Sequence, residues 1–256
     1  MRQIPLSSTQ MLLLRRKALR ACTAIPSFKR KDKASAGNEY SAARQIMSRR
    51  FLLKFISTYT LRKEQISMEI TIDTSKVRIE TNRLVLRGFR GEDLHDFYDY
   101  AKIEGVGECA GWSHHKSIDE SREILSKFIE SKNVFAIVDK SNEKVIGSVG
   151  IKDPDEVTVS RFPDVRVKEI GYVLAKDYWG KGIMTEAAKA VICYCFDELN
   201  LDAVSVGHFV GNDRSRRVIE KCGFEYFADT VFHSDSLNTD YPCKDYILWK
   251  KRKNIK

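Results

Sequence analysis

Several things are scarce in this sequence. Its six cysteines form no CxxC pair and no zinc-like spacing, which argues against a structural metal motif or a disulfide framework. Only 5 prolines and 14 glycines occur in 256 residues, so collagen-like and low-complexity classes are excluded. No apolar run approaches the roughly 20 residues of a membrane-spanning helix. Met11 to Leu14 is the start of one, and Arg15 ends it. Acidic residues are nearly missing from the first quarter: residues 1–67 carry 15 Lys+Arg but only Asp32, Glu39 and Glu64.

What is present is a foldable chain. Its 43% apolar and 10% aromatic content suffices for a core. The formal net charge is +9, yet residues 1–67 hold +12 and residues 68–256 hold −3. The basicity therefore predicts no nucleic-acid surface on the core, where phosphate contacts would demand excess Lys and Arg. Cys193 and Cys195 stand two apart on an expected helix and so point to different faces. They read as small buried hydrophobes of a reducing, cytoplasmic compartment, with no metal.

Residues 1–67 are Arg- and Ser-rich and lack the apolar centre of a secretory signal. Three readings fit: a targeting segment, a functional basic tail, or translated upstream DNA. Lys63-Glu64, if encoded AAG GAG, would form a ribosome-binding sequence three codons before the Met68 codon. Translation starting at Met68 is therefore an expectation, with 1–67 a basic extension that is disordered or foreign to the natural protein.

Beyond Met68 the pattern is regular. Leu84–Phe89 reads as a strand. Gly91-Glu92-Asp93 opens a helix that turns Leu94, Phe97, Tyr98 and Ala101 to one face. Ser117-Ile118-Asp119-Glu120 is a capping box before a helix that should bury Ile124, Leu125, Phe128 and Ile129. Val134–Val138 and Val145–Val149 form a hairpin around a polar turn. A polar stretch from Asp153 to Asp164 follows, then a strand over Val167–Leu174. Gly180–Leu199 reads as a long helix and Ala203–Val206 as a strand. Asn212–Cys222 reads as a short helix stopped by Gly223 and Phe224 in Schellman fashion. Phe224–Phe232 and Tyr246–Trp249 close the chain as strands. This mixture predicts one sheet, partly antiparallel, with helices on its faces.

The richest segment runs from Glu169 to Ala187. A strand enters a loop holding Gly180 and Gly182, and the loop opens a helix. Glycines there let backbone approach a ligand, and free N–H groups at the helix start favour an anion. The mechanism is that of a phosphate cradle. A dinucleotide fingerprint would need a third glycine where Thr185 stands, and the GxxxxGK[ST] loop is absent.

Tyr-Trp-Gly180-Lys-Gly182-Ile-Met-Thr-Glu-Ala resembles the acetyl-CoA motif of the GNAT N-acetyltransferases, in particular the RimJ/RimL-like branch that acetylates ribosomal-protein N-termini. That family has Gln or Arg three residues before the first glycine, where this chain has Asp177. Further matches are Asn82–Arg87, Ala110-Gly-Trp-Ser-His114 and Asn212-Asp-Arg-Ser215 through Gly223-Phe224. The resemblance spans about Val77 to Lys251, and implies one GNAT-like α/β domain over 77–251. Its sheet would be central, mixed and largely antiparallel, flanked by helices, and preceded by a poorly structured extension.

It also implies direct acetyl transfer from acetyl-CoA to a primary amine, either a protein α-amine or a small-molecule amine. Such chemistry needs a base, an oxyanion donor and a proton for the leaving thiolate, but no metal. Glu169 matches the family's glutamate base. Ser215, three after Asn212, matches the branch's candidate acid. Tyr172, Val173 and Leu174 would hold pantetheine through backbone groups. Gly180, Lys181, Gly182, Ile183, Met184, Thr185 and Asn212 would contact the rest of the cofactor. Arg216 and Arg217 are candidates for its 3′-phosphate. Trp112 and His114 would shape the acceptor side. A monomer or homodimer without nucleic-acid or membrane partners is expected. The competing readings are a non-catalytic acyl-CoA-binding regulatory module and a nucleic-acid protein led by its tail.

Overall fold

The computed structural model describes residues 70–251. The basic segment 1–67 and the start expected at Met68 lie outside the described residues. Eight strands form one sheet in the order β1-β2-β3-β4-β5-β6-β8-β7. The strands are β1 (Arg78–Glu80), β2 (Leu84–Gly88), β3 (Val134–Asp139), β4 (Val145–Lys152), β5 (Val167–Leu174), β6 (Ala203–Phe209), β7 (Glu225–Ser234) and β8 (Thr239–Trp249). Every pairing is antiparallel except β5 with β6. A parallel pair needs a crossover, and helix α4 (Ile183–Asp197) supplies it.

Strand alternation sorts side chains into two layers. Leu84 and Leu86 of β2 join Phe135, Ile137, Ile170 and Val204 in the core under α4 and α5 (Asp213–Cys222). Val85, Ala136 and Val138 face the other way, under α1 (Leu94–Ala101) and α2 (Ile118–Ser131). Phe135 is fully buried; truncating such a side chain to alanine costs about 3–5 kcal/mol. A third small cluster joins Val167, Ala203 and Ile247 to Phe162 and Val165.

Local signals hold at most boundaries. Ser117 Oγ accepts the Glu120 N–H at 3.2 Å. The Glu120 carboxylate reaches one residue further than a capping box requires and accepts from Lys116 N–H at 2.7 Å. Asn212 caps α5 by accepting from the Ser215 N–H. Gly223 has φ +85°, with Phe224 N–H donating to Ile219 O and Gly223 N–H to Glu220 O. That is the Schellman stop read from the sequence.

Four expectations need correction. Cys195 is buried as expected, but Cys193, two positions before it, is exposed on the outer face of α4. The buried face of α1 holds Phe97, Tyr100 and Ala101, leaving Tyr98 only half-buried. In α2 Ile129 is exposed, because the inward face runs Ser121, Ile124, Leu125, Phe128. The polar stretch contains α3 (Glu156–Arg161), capped by Asp155, which accepts from the Thr158 N–H at 2.7 Å. Alternating Val157 and Val159 hid that helix. Both are exposed, so the helix carries no apolar stripe to betray it.

Candidate active site

The parallel pair is a fork. Strands β5 and β6 are bridged only at Val167–Ala203, Lys168–Val204 and Glu169–Ser205. Beyond Glu169, β5 keeps pairing with β4 through Leu174, while β6 follows β8 to Phe209. Backbone of 170–174 therefore has no strand partner on its β6 side. A cavity of about 230 Å³ opens there.

One wall is Tyr172, Val173 and Leu174. Another is the face of α5, with Arg214, Ser215, Arg217, Val218 and Lys221. Arg214, Arg217, Val218 and Lys221 are spaced i, i+3, i+4, i+7, one helical stripe, and Ser215 lies at its edge. Val106, Cys109 and Ala110 close the third side. Asn212 Nδ2 donates to Cys109 O at 3.3 Å, and the Arg214 guanidinium lies 4.2 Å from the Trp179 ring.

The loop from β5 to α4 forms the base. After a 3₁₀ turn over Lys176–Tyr178, Gly180 (φ +75°) and Gly182 (φ +74°) adopt left-handed conformations, which cost other residues about 1–2 kcal/mol each. Gly182 caps α4 with no side-chain hydrogen bond. The first-turn N–H groups of Ile183, Met184 and Thr185 thus stay available beside the cavity that these residues line. Glu186, the acid in that turn, is drawn away: it accepts from Thr81 Oγ1 (2.6 Å), Arg83 N–H (2.9 Å) and Arg83 Nε (2.7 Å). Arg83 Nη1 also donates to Lys181 O at 3.0 Å. A carboxylate that would compete with a bound phosphate instead anchors the loop to the turn just before β2. Burial raises the Glu186 pKa, but the Thr81 and Arg83 bonds outweigh it and hold the group below its ordinary value.

The residues fit a phosphate-bearing, extended acyl carrier such as acetyl-CoA. Two left-handed glycines, uncapped helix N–H groups and Arg214, Arg217 and Lys221 suit the diphosphate end. The unbridged edge of β5 suits an amide-bearing arm, since pantetheine can hydrogen-bond like a strand.

Of the residues expected from sequence, the cavity brings together Tyr172, Val173, Leu174, Gly180, Gly182, Ile183, Met184, Thr185, Asn212 and Ser215. The Tyr172 hydroxyl sits 2.9 Å from Ser215 Oγ. Lys181 stands outside the lining, its Nζ 5.5 Å from the Tyr178 ring centre. Arg217 lines the cavity, whereas Arg216 is bound to Asp213 and Glu220.

Glu169 stands at the apex of the fork, outside this lining. Its side chain lies on the sheet face of Val173 rather than that of Tyr172, by strand alternation. Lys152 Nζ is 3.0 Å away. Burial raises the Glu169 pKa, and Lys152 offsets part of that rise.

Trp112 packs in the cluster beneath α1 and α2 and against the His115 ring. His114 Nδ1 is 2.8 Å from Glu108 Oε1, and its Nε2 is 2.7 Å from Lys116 Nζ. Sequence reasoning missed Arg214, Val218, Lys221 and Cys109. The helical stripe could have found the first three; Cys109 arrives through a turn that no periodicity marks.

Residues 83–225 match the Acetyltransferase (GNAT) domain family. The chain belongs to the GNAT acetyltransferases. It is 37% identical over 141 residues to the probable N-acetyltransferase YjcK of Bacillus subtilis (strain 168), covering 54% of this chain and 71% of that protein. It is 24% identical over 194 residues to the uS5 ribosomal-protein-alanine N-acetyltransferase of Escherichia coli (strain K12), covering 68% and 89%. In fold it resembles a GNAT-family acetyltransferase from Bacillus anthracis, with a TM-score of 0.59 at 20% identity over 68% of this chain and 98% of the other. As a GNAT member the protein is an N-acetyltransferase using acetyl-CoA, and the non-catalytic module is not favoured. No helix among the described residues is long and apolar enough to cross a membrane.

Proposed function

We propose that the protein acetylates a primary amine that is either a peptide α-amine or a small-molecule amine, with each partner reaching the fork from its own face of the sheet. The observation that carries this reading is the single gap between β5 and β6 at Glu169. On one face the gap meets the glycine cradle and the Tyr172–Ser215 pair. On the other it meets the Glu169 carboxylate. A thioester threaded from the first face and an amine arriving at the second would meet in the gap.

Glu169 takes the proton of the attacking ammonium. Its raised pKa suits a base that must hold that proton briefly near neutral pH. Backbone groups of 172–174 orient the acyl arm, and N–H groups of 183–185 with Asn212 hold the remainder. Ser215 Oγ gives a proton to the sulfur as the carbon–sulfur bond breaks, and the Tyr172 hydroxyl resupplies it. Trp112 and His114 act by fixing the loop between α1 and α2. Residues 77–251 are the catalytic domain, in keeping with a sheet that begins at Arg78 and ends at Trp249. A reducing, cytoplasmic setting is in keeping with the cysteines among the described residues, Cys109, Cys193, Cys195, Cys222 and Cys243, standing as free thiols.

The Escherichia coli relative acts on a ribosomal-protein alanine by its name, which makes α-amines the first acceptors to try. The test is thiol release from acetyl-CoA by the full chain, with peptides of varied N-terminal residue beside simple alkylamines. Turnover on one acceptor class identifies it. Acetyl-CoA binding with no turnover on any amine would overturn the reading.

A further inference from the structure

The acceptor face carries a row of groups that acetyl transfer itself does not require. Register places Glu169 beside Ser205, and Gly207 beside Asp245. Ser205 and Gly207 are two apart on β6, so all four share one face. Asp245 is buried at 9% exposure, yet no lysine or arginine pairs with it. Thr230 Oγ1 donates to its Oδ2 at 2.7 Å. A Cβ on Gly207 would lie 2.6 Å from its Oδ1, so the carboxylate lies over the bare backbone of that glycine.

Ser205 supplies an independent sign. Its Oγ is buried, with the residue 2% exposed, and has no hydrogen-bond partner. A buried hydroxyl left so is costly and calls for explanation. Register sets Ser205 directly beside Glu169 on β5 and diagonal to Asp245 on β8, where its direct partner is Ile247. Beside them the sheet is open: Gly171 is exposed in a central strand, and a Cβ there would meet nothing within 4 Å. Its β4 partner is Gly150, so the floor of this opening is bare backbone. Among the described residues no group of His, Cys, Asp and Glu is arranged to hold a metal.

The charges do not balance. Lys152 neutralises Glu169 from an exposed position. Asp245 is left facing Asp155 of the α3 cap, with Glu169 and the Cys243 thiol nearby. Burial raises the Asp245 pKa to about 6, with Asp155 and Glu169 adding to the rise and Thr230 opposing it. An ammonium group donates three hydrogen bonds, and here two acceptors wait without a cation. We propose that Asp245 and Ser205 form a cation subsite next to Glu169, so that the preferred acceptor is an amine carrying a second ammonium group. This rests on the reading of the protein as an amine acetyltransferase and narrows its substrate class.

The experiment compares 1,4-diaminobutane with 1-aminobutane on the full chain, by kinetics with acetyl-CoA and by calorimetry of amine binding. The wild type should favour the diamine in kcat/KM by about tenfold or more, the scale of one charge-assisted hydrogen bond. Asp245→Asn keeps an oxygen for Thr230. It should erase the preference by raising the diamine KM, with kcat nearly unchanged. Diamine affinity should weaken as pH falls through about 6 in the wild type, where Asp245 gains its proton, and this limb should vanish in the variant. Ser205→Ala should also raise the diamine KM. Because its hydroxyl has no partner in the free protein, the melting temperature should hold or rise.

Equal use and equal binding of the two amines by the wild type would overturn the proposal. So would a Ser205→Ala protein that melts lower, which would reveal a partner inside the fold. If neither amine is acetylated but calorimetry still shows a diamine preference that Asp245→Asn removes, the subsite stands and the acetyl-transfer reading fails separately.

Discussion

The Tyr172 hydroxyl and Ser215 Oγ are 2.9 Å apart, joining strand β5 to helix α5 across the mouth of the fork. Burial raises the Tyr172 pKa well above its ordinary value, and the Ser215 bond lowers it only in part. The phenol therefore stays protonated at any working pH, and in the proposed reaction it is the group that resupplies Ser215. A serine alone is a poor acid for a thiolate; coupled to a phenol it can be resupplied as it gives.

Tyr172→Phe should lower kcat about tenfold, with little change in acetyl-CoA affinity. Ser215→Ala should cost about 10²-fold, the lower end for general acids. The double variant should be no slower than Ser215→Ala alone, because groups acting as one unit are not additive. Thiol-release rates on the three proteins decide this. Losses that multiply would separate the two residues and leave Tyr172 a packing role.

Glu169→Gln should slow turnover by about 10²-fold or more at neutral pH. The acid limb of the wild-type rate should lie above the ordinary carboxylate range, since burial raises this pKa. The same substitution removes a charge that burial disfavours, so the melting temperature should not fall. An unchanged rate would move proton acceptance to water or to another group. A lower melting temperature would mean that the Lys152 pair at 3.0 Å outweighs the burial penalty.

Gly182→Ala tests the cradle without filling it. A Cβ at Gly182 would meet only Arg83 Nη2, at 3.8 Å, so sterics are relaxed and the cost comes from φ +74°. At about 1–2 kcal/mol for a left-handed alanine, acetyl-CoA affinity should weaken roughly tenfold if the loop rearranges to escape that strain. Calorimetry reads the affinity. Unchanged affinity with a lower melting temperature would show that the loop keeps its shape and the fold absorbs the strain.

The site's local parts were legible in the chain, and its assembled parts were not. Gly180, Gly182 and Gly223 announced themselves because few other residues tolerate a positive φ, and Asn212 because its side chain competes for helix N–H groups. The strand at Val167–Leu174 was legible from its β-favouring Val167, Ile170, Tyr172 and Val173. Helix α3 escaped because its exposed valines carry no stripe. Asp245 read as an ordinary residue near a closing strand. Its neighbours Ser205 and Glu169 lie 40 or more positions away in the chain, and only strand register brings the three together. The +9 of the whole sequence likewise concealed a +12 beginning and a −3 remainder, and around this groove it is acids that gather.

The loop between α1 and α2 should set an acid limit on stability. Glu108 there accepts from Gly105 N–H at 2.6 Å, from His114 N–H at 3.0 Å, and through Oε1 meets His114 Nδ1 at 2.8 Å. Burial alone would raise its pKa, but the bonds from the His114 ring and from backbone N–H groups outweigh that and bring it to about 2, against an ordinary 4.5. A carboxyl with a depressed folded pKa lends stability that is complete above its unfolded pKa and fades as pH falls to the folded one. The window for Glu108 therefore runs from about 4.5 down to about 2. Glu186, lowered in the same direction, adds to the same loss. Glu108→Gln should be less stable than the wild type at pH 6, with the gap in urea midpoint closing as pH nears 2. A gap equally wide at both pH values would assign the loop's stability to the shape of the contacts rather than to the charge on Glu108.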